Sequence, residues 1–191
     1  MGYRFTQEGA DAVLKSWAED YLIYAPKRME GIGAFSDTDS IRYELISTVN
    51  EIEFEKKSNF SFKEVLLPLS ETLFYFTEEE VKEAEGPKKG AVIFLRSCDL
   101  HSVKRLDEIY LRNGFEDYYY KRIRDRVKFV LLGCQTAFEN CFCVDMETNR
   151  IDSYDASLEK KGDSYEMDNR LADWETMLQT NCVGRQDVIP S

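Results

Sequence analysis

The sequence predicts an α/β fold: a partly parallel sheet flanked by helices, with an appended antiparallel hairpin. Two observations carry this. Residues 91–95 and Val127–Leu132 are short apolar runs rich in β-branched residues, and residues 100–111 between them fit a helix, the pattern of a parallel pair with a crossover. Further on, residues 153–158 and 164–167 flank Lys160-Lys161-Gly162-Asp163, which reads as a hairpin turn. At 191 residues, with 43% hydrophobic and 13% aromatic content, the chain can bury one sizeable core, and 32% charged residues fit a water-facing surface.

The remaining elements follow in order. Residues 6 to about 21 read as an amphipathic helix, with Thr6 as N-cap and Ala10, Val13, Leu14, Trp17 and Tyr21 at helical spacing. Residues 22–25 read as a short strand stopped by Pro26. Gly31, Gly33 and Ala34 suit a surface loop, and residues 41–45 look strand-like. Lys63–Leu66 leads through Pro68 into Leu73-Phe74-Tyr75-Phe76, an aromatic stretch expected to be buried. Residues 78–85 are acidic and end at Gly86-Pro87, a surface connection. The basic cluster Lys121-Arg122-Ile123-Arg124-Asp125-Arg126 is expected to be a solvated loop or a salt-bridged helix end, and Asp107 and Asp117 to hold helix ends and loops by hydrogen bonds. Residues 171 to about 180 form a last helix carrying Trp174, Met177 and Leu178.

Several functions are excluded by composition and motif. A net charge of −11 argues against nucleic acid, whose phosphates require clustered Lys and Arg. There is no signal-peptide pattern and no apolar run near the ~20 residues of a membrane span. Five cysteines, an odd number, without an export signal point to a reducing cytoplasm where thiols stay available to metal. No G-x-G-x-x-G or Walker A pattern supports nucleotide binding, and a single histidine, His101, leaves no base for a catalytic triad.

What stands out is the placement of the cysteines. Cys98 follows one apolar run directly, in Arg96-Ser97-Cys98-Asp99-Leu100-His101; Cys134 follows the next, with Glu139-Asn140-Cys141-Phe142-Cys143 behind it. Two strand ends delivering thiols to one sheet edge suggest a shared site on Cys98, Cys134, Cys141 and Cys143. Gathered thiolates bind zinc or the irons of an iron–sulfur cluster, and the spacing is not a zinc-ribbon pair, so the residues alone leave the metal open. A third reading treats the four as small buried hydrophobes or free thiols. At a helix start, with Asp99 available as N-cap, the Cys98 thiolate is expected to be stabilised. Asn140 suits a hydrogen bond to sulfur and Phe142 an apolar cover. His101 is expected to hydrogen-bond at the helix start, and Cys182 lies apart from the site.

These same stretches carry a family resemblance. Residues 94–107, Asp117-Tyr118-Tyr119, Gly133-Cys134 and Asn140-Cys141-Phe142-Cys143 resemble the electron-transfer component of anaerobic sulfite reductase and the related β subunits of sulfhydrogenases; upstream, Phe35-Ser36-Asp37-Thr38-Asp39-Ser40-Ile41-Arg42-Tyr43 and Leu69-Ser70-Glu71-Thr72-Leu73-Phe74-Tyr75-Phe76 resemble the sulfite reductase component. The resemblance spans about residues 24–168. It implies an iron–sulfur cluster, a [4Fe–4S] centre, on the four cysteines in preference to zinc, and an electron relay to partner subunits, with sulfite reduced to sulfide on another subunit's prosthetic group. On this reading the chain alone is not catalytic. The family's C-terminal dicluster ferredoxin module has no counterpart here, so residues 1–183 are expected to form the N-terminal domain and 184–191 the start of a linker. Two alternatives stand beside it: the electron-relay β subunit of a hydrogenase or sulfhydrogenase, and a structural docking domain without a working cluster.

Overall fold

The computed structural model describes residues 2–35 and 37–186. In chain order the elements are β1 (Gly2–Phe5), α1 (Gln7–Trp17), β2 (Tyr21–Met29), β3 (Ser40–Leu45), α2 (Lys63–Leu66), β4 (Phe74–Phe76), β5 (Val81–Glu83), β6 (Gly90–Leu95), α3 (Ser97–Asp107), α4 (Tyr118–Arg124), β7 (Val127–Leu132), β8 (Ala156–Lys161), β9 (Ser164–Asn169), α5 (Ala172–Asn181) and β10 (Gly184–Gln186). A single 3₁₀ turn (Val49–Glu51) and a π-helical turn (Glu108–Arg112) complete the described elements.

Eight strands form one mixed sheet in the order β10-β1-β9-β8-β7-β6-β2-β3. Its centre is parallel: β2 pairs with β6, β6 with β7, and β7 with β8. Both flanks are antiparallel, β3 on one side and β9, β1 and β10 on the other. The class is α/β, and the β8–β9 hairpin turns at Gly162, whose φ of 61° is the left-handed conformation that glycine adopts without strain.

The apolar runs that mark β6 and β7 are continuous because both sheet faces are covered. Val92 and Phe94 of β6, with Val130 and Leu132 of β7, face the layer of α1 and α5; Ile93 and Leu95, with Phe129 and Leu131, face α2, α3 and α4. On the first face Trp17 of α1 lies against Trp174 of α5, ring centroids 4.3 Å apart. Thr6 caps α1 as expected, its hydroxyl accepting from Gly9 N–H at 3.2 Å. The basic cluster is a salt-bridged helix end: Arg122 of α4 pairs with Glu71 and Arg124 with Asp107, while Asp117 caps the start of the same helix.

Four expectations change. The aromatic stretch is exposed, not buried: Phe74, Tyr75 and Phe76 are 52%, 62% and 74% accessible, because β4 pairs only with β5 in a separate two-stranded hairpin. The acidic connection thereby contains a strand. Pro26 does not stop β2, which runs on to Met29. Its carbonyl accepts from Glu53 N–H at 2.7 Å, on the side away from β3, so its ring nitrogen faces a position where β6 no longer runs and no ladder bond is lost. Finally, β1 and β10, unassigned as strands from sequence, form an antiparallel edge. Gly184–Gln186, expected to begin a linker, is thus in the sheet, and residues 187–191 lie outside the described residues.

Candidate metal centre

Strands β6 and β7 end side by side, with Leu95 in register with Leu131. Both chains then leave the sheet at the same edge, where diverging backbones open a crevice in α/β folds. Past β6, Arg96 is extended and caps α3, which places Cys98 in the helix's first turn. Past β7, Cys134 opens an irregular connection that carries Cys141 and Cys143 before reaching β8. The crevice is a cavity of about 440 Å³, and Cys98, Cys134, Cys141 and Cys143 all line it.

Two cysteines separated by one residue reach the same cavity because the connection is tightly folded. Asn140 has φ 60°, a left-handed conformation that asparagine tolerates better than most residues. Cys141 N–H donates to Phe138 carbonyl at 3.1 Å, and Thr148 N–H to Cys143 carbonyl at 2.7 Å, closing turns on either side of Phe142. Among the described residues the Asn140 amide makes no hydrogen bond to sulfur; its contribution is the turn. Phe142 lines the cavity and is itself exposed, so the cover it gives is partial.

The opposite wall is the segment 57–61, tied along the edge of β3. Asn59 Oδ1 accepts from Ile41 N–H at 2.8 Å, and Ser58 Oγ donates to Ile41 carbonyl at 3.0 Å. Glu53 anchors the approach to this wall, accepting from Arg28 Nη2 at 2.8 Å and from the N–H groups of Glu55 and Lys56. Burial pushes the Glu53 carboxyl up, but these donors hold it below the usual glutamate range.

The electrostatics overturn the expectation for Cys98. Burial, then the charges of Asp99, Cys134 and Cys143, push its thiol up to about 11, against a smaller opposing effect of Lys57. A single helix start cannot outweigh desolvation plus neighbouring acids; binding a cation would displace that proton. Nor is Asp99 the N-cap of α3. That position is Arg96, and the Asp99 carboxylate instead accepts from Tyr43 Oη at 3.0 Å. Burial raises Asp99 above the ordinary aspartate range, and burial together with Asp99 raises Tyr43 well above that of a free phenol.

The other candidates lie elsewhere. His101 Nε2 is 2.8 Å from the Arg150 carbonyl, so its hydrogen bond goes to the connection before β8 and not, as expected, to the helix start; it does not line the cavity. Cys182 packs on the opposite sheet face, beside the α1–α5 core. Sequence reasoning missed Arg96 and Tyr43. Arg96 is 5% exposed and donates through Nη1 to Cys134 Sγ at 3.3 Å. No sequence signal marked it: an arginine just past a strand end can as well face solvent, and its burial follows from the chain segments that close over it.

The four thiols share one cavity, and among the described residues no three His, Cys, Asp or Glu side chains stand together as a group that could hold a metal ion. As a donor set, four cysteines suit zinc or the irons of a cluster.

No protein-family model matches the chain. No solved structure matches it. Sulfhydrogenase 2 subunit beta of Pyrococcus furiosus is 27% identical to it over 135 residues, 70% of this chain and 40% of that protein. The chain thus spans about two fifths of the length of this curated relative, and by sequence it is related to a sulfhydrogenase β subunit.

Proposed function

We propose that this chain is an electron-relay component of a cytoplasmic redox complex and holds an iron–sulfur cluster on Cys98, Cys134, Cys141 and Cys143. The observation that carries the reading is the convergence of these four cysteines, from two strand ends and one folded loop, on a single cavity. Four thiolates match the ligand requirement of a [4Fe–4S] centre, which when bound would accept and release one electron at a time. The protein's part is placement and environment. α3 fixes Cys98, the Asn140 turn aims Cys141 and Cys143, and Arg96 and Lys57 bring positive charge to a cavity of thiolates. Phe60, Phe138, Phe142 and Met146 narrow the access of water to it.

The complex we assign first is anaerobic sulfite reductase, where the electrons go to a partner that reduces sulfite to sulfide. Supporting this choice, the upstream stretch shared with that family ends at Tyr43, which lines the cavity, and the stretch around Glu71 docks on Arg122 of α4. The second reading is a hydrogen-oxidising complex, favoured by the similarity to sulfhydrogenase 2 subunit beta. One assay separates them. The full-length protein, purified anaerobically with the subunits that copurify with it, is supplied with a reduced viologen and sulfite, or with hydrogen and an oxidised viologen. Sulfide formation that is lost in Cys98→Ser supports the first reading. Hydrogen-driven dye reduction without sulfide formation replaces it with the second, and neither activity in an iron-loaded complex leaves a docking role.

A further inference from the structure

Arg96 is a buried cation that no carboxylate among the described residues directly pairs; Asp99, which lines the same cavity and feels its charge, is hydrogen-bonded to Tyr43 instead. A guanidinium stays protonated throughout the pH range of folded proteins, and burying it is costly unless a counter-charge accompanies it. Arg96 is 5% exposed. Its Nη2 donates to Phe54 carbonyl at 2.9 Å and to Lys56 carbonyl at 3.3 Å, and its guanidinium carbon lies 4.4 Å from the centre of the Phe138 ring. Carbonyls and a ring face satisfy donors without neutralising charge. Among the described residues Arg96 makes no salt bridge; the Cys134 sulfur, 3.3 Å from Nη1, is the one hydrogen-bonded partner able to become a full anion.

We propose that Arg96 is a positioning residue that holds Cys134 as a metal-bound thiolate and, through its charged hydrogen bond to that sulfur, raises the reduction potential of the centre. The inference rests on the iron–sulfur reading and extends it. Adding one electron makes the cluster and its thiolates more negative, so a cation donating to a ligand sulfur stabilises the reduced state more than the oxidised one. The two carbonyls and Phe138 fix the guanidinium plane, leaving Nη1 directed at sulfur. A merely structural role is the rival: the same carbonyl contacts tie the approach to the wall at 57–61 to the end of β6.

The test compares the wild-type protein with Arg96→Gln, which keeps a donor and loses the charge, and Arg96→Lys, which keeps the charge and loses the fork. Each is purified anaerobically and measured for iron per chain, circular dichroism and midpoint potential in a dithionite titration. The expected result is a more negative midpoint in Arg96→Gln and a smaller shift in Arg96→Lys. Loss of iron in Arg96→Gln alone, with both variants folded, also supports the proposal, since the charge is then what Cys134 requires. Equal iron content with unchanged potential in Arg96→Gln overturns it, as does equal iron loss in both folded variants, which marks Arg96 as a strut. Wild-type protein without iron fails the underlying reading itself, and the proposal falls with it.

Discussion

The cavity cysteines differ in how firmly each is held. Cys98 is fixed by a helix and Cys134 by a charged side chain, whereas Cys141 and Cys143 depend on a loop folded by backbone turns. Cys141→Ala or Cys143→Ala should therefore abolish visible absorbance and bound iron in anaerobic preparations while leaving the core folded. Cys182→Ala should retain both, because Cys182 packs against the opposite sheet face; loss of colour in Cys182→Ala alone would reassign the ligands. A second residue-scale outcome concerns pH. Burial pushes Glu51 up, but Lys27 and the N–H groups of Ser47 and Thr48 pull it down further, so the folded carboxyl titrates below the ordinary glutamate value. A depressed carboxylate adds stability above its unfolded pKa and loses it as pH falls through the folded one. Glu51→Gln should cost about 1–2 kcal/mol near neutral pH, by the usual worth of charge-assisted hydrogen bonds, and flatten the decline in melting temperature below about pH 5. Thermal unfolding of the two proteins across pH checks this.

Among the elements, β6 and the β4–β5 hairpin are opposites. Phe94 of β6 is fully buried between the sheet and the α1–α5 layer, and Phe94→Ala should cost about 3–5 kcal/mol. Phe76→Ser, on the exposed hairpin, should change the denaturant midpoint little, since little burial is lost. Gly90 opens β6 where a Cβ would meet Arg126 carbonyl at 2.4 Å and the Tyr21 ring at 2.8 Å, so Gly90→Ala should destabilise by ~1–3 kcal/mol in the same measurement. These contrasts also mark what sequence could convey. β6 and β7 were legible because burial on both faces demands unbroken apolar runs. The hairpin was misread because aromatic residues signal burial only when something packs on them, and composition does not reveal the neighbour. β1 and β10 are too short for periodicity, and they are strands because of whom they pair with. The cysteine groups stood out because each follows a readable strand end, while Arg96 and Tyr43 matter through contacts formed only in three dimensions.

For the molecule as a whole, the mixed sheet acts as the frame that brings distant sequence together. Parallel pairing puts the ends of β6 and β7 at one edge, and the wall at 57–61 closes the cavity from the β3 side. Among the described residues no helix is long and apolar enough to cross a membrane. The proposed cluster would be shared by the four cavity cysteines, and the most direct test is the iron and inorganic sulfide content of the anaerobically purified protein. A shared cubane cluster predicts brown protein with roughly four irons and a similar amount of sulfide per chain. Colourless protein with one zinc per chain, or with no metal after iron-replete anaerobic preparation, would contradict it.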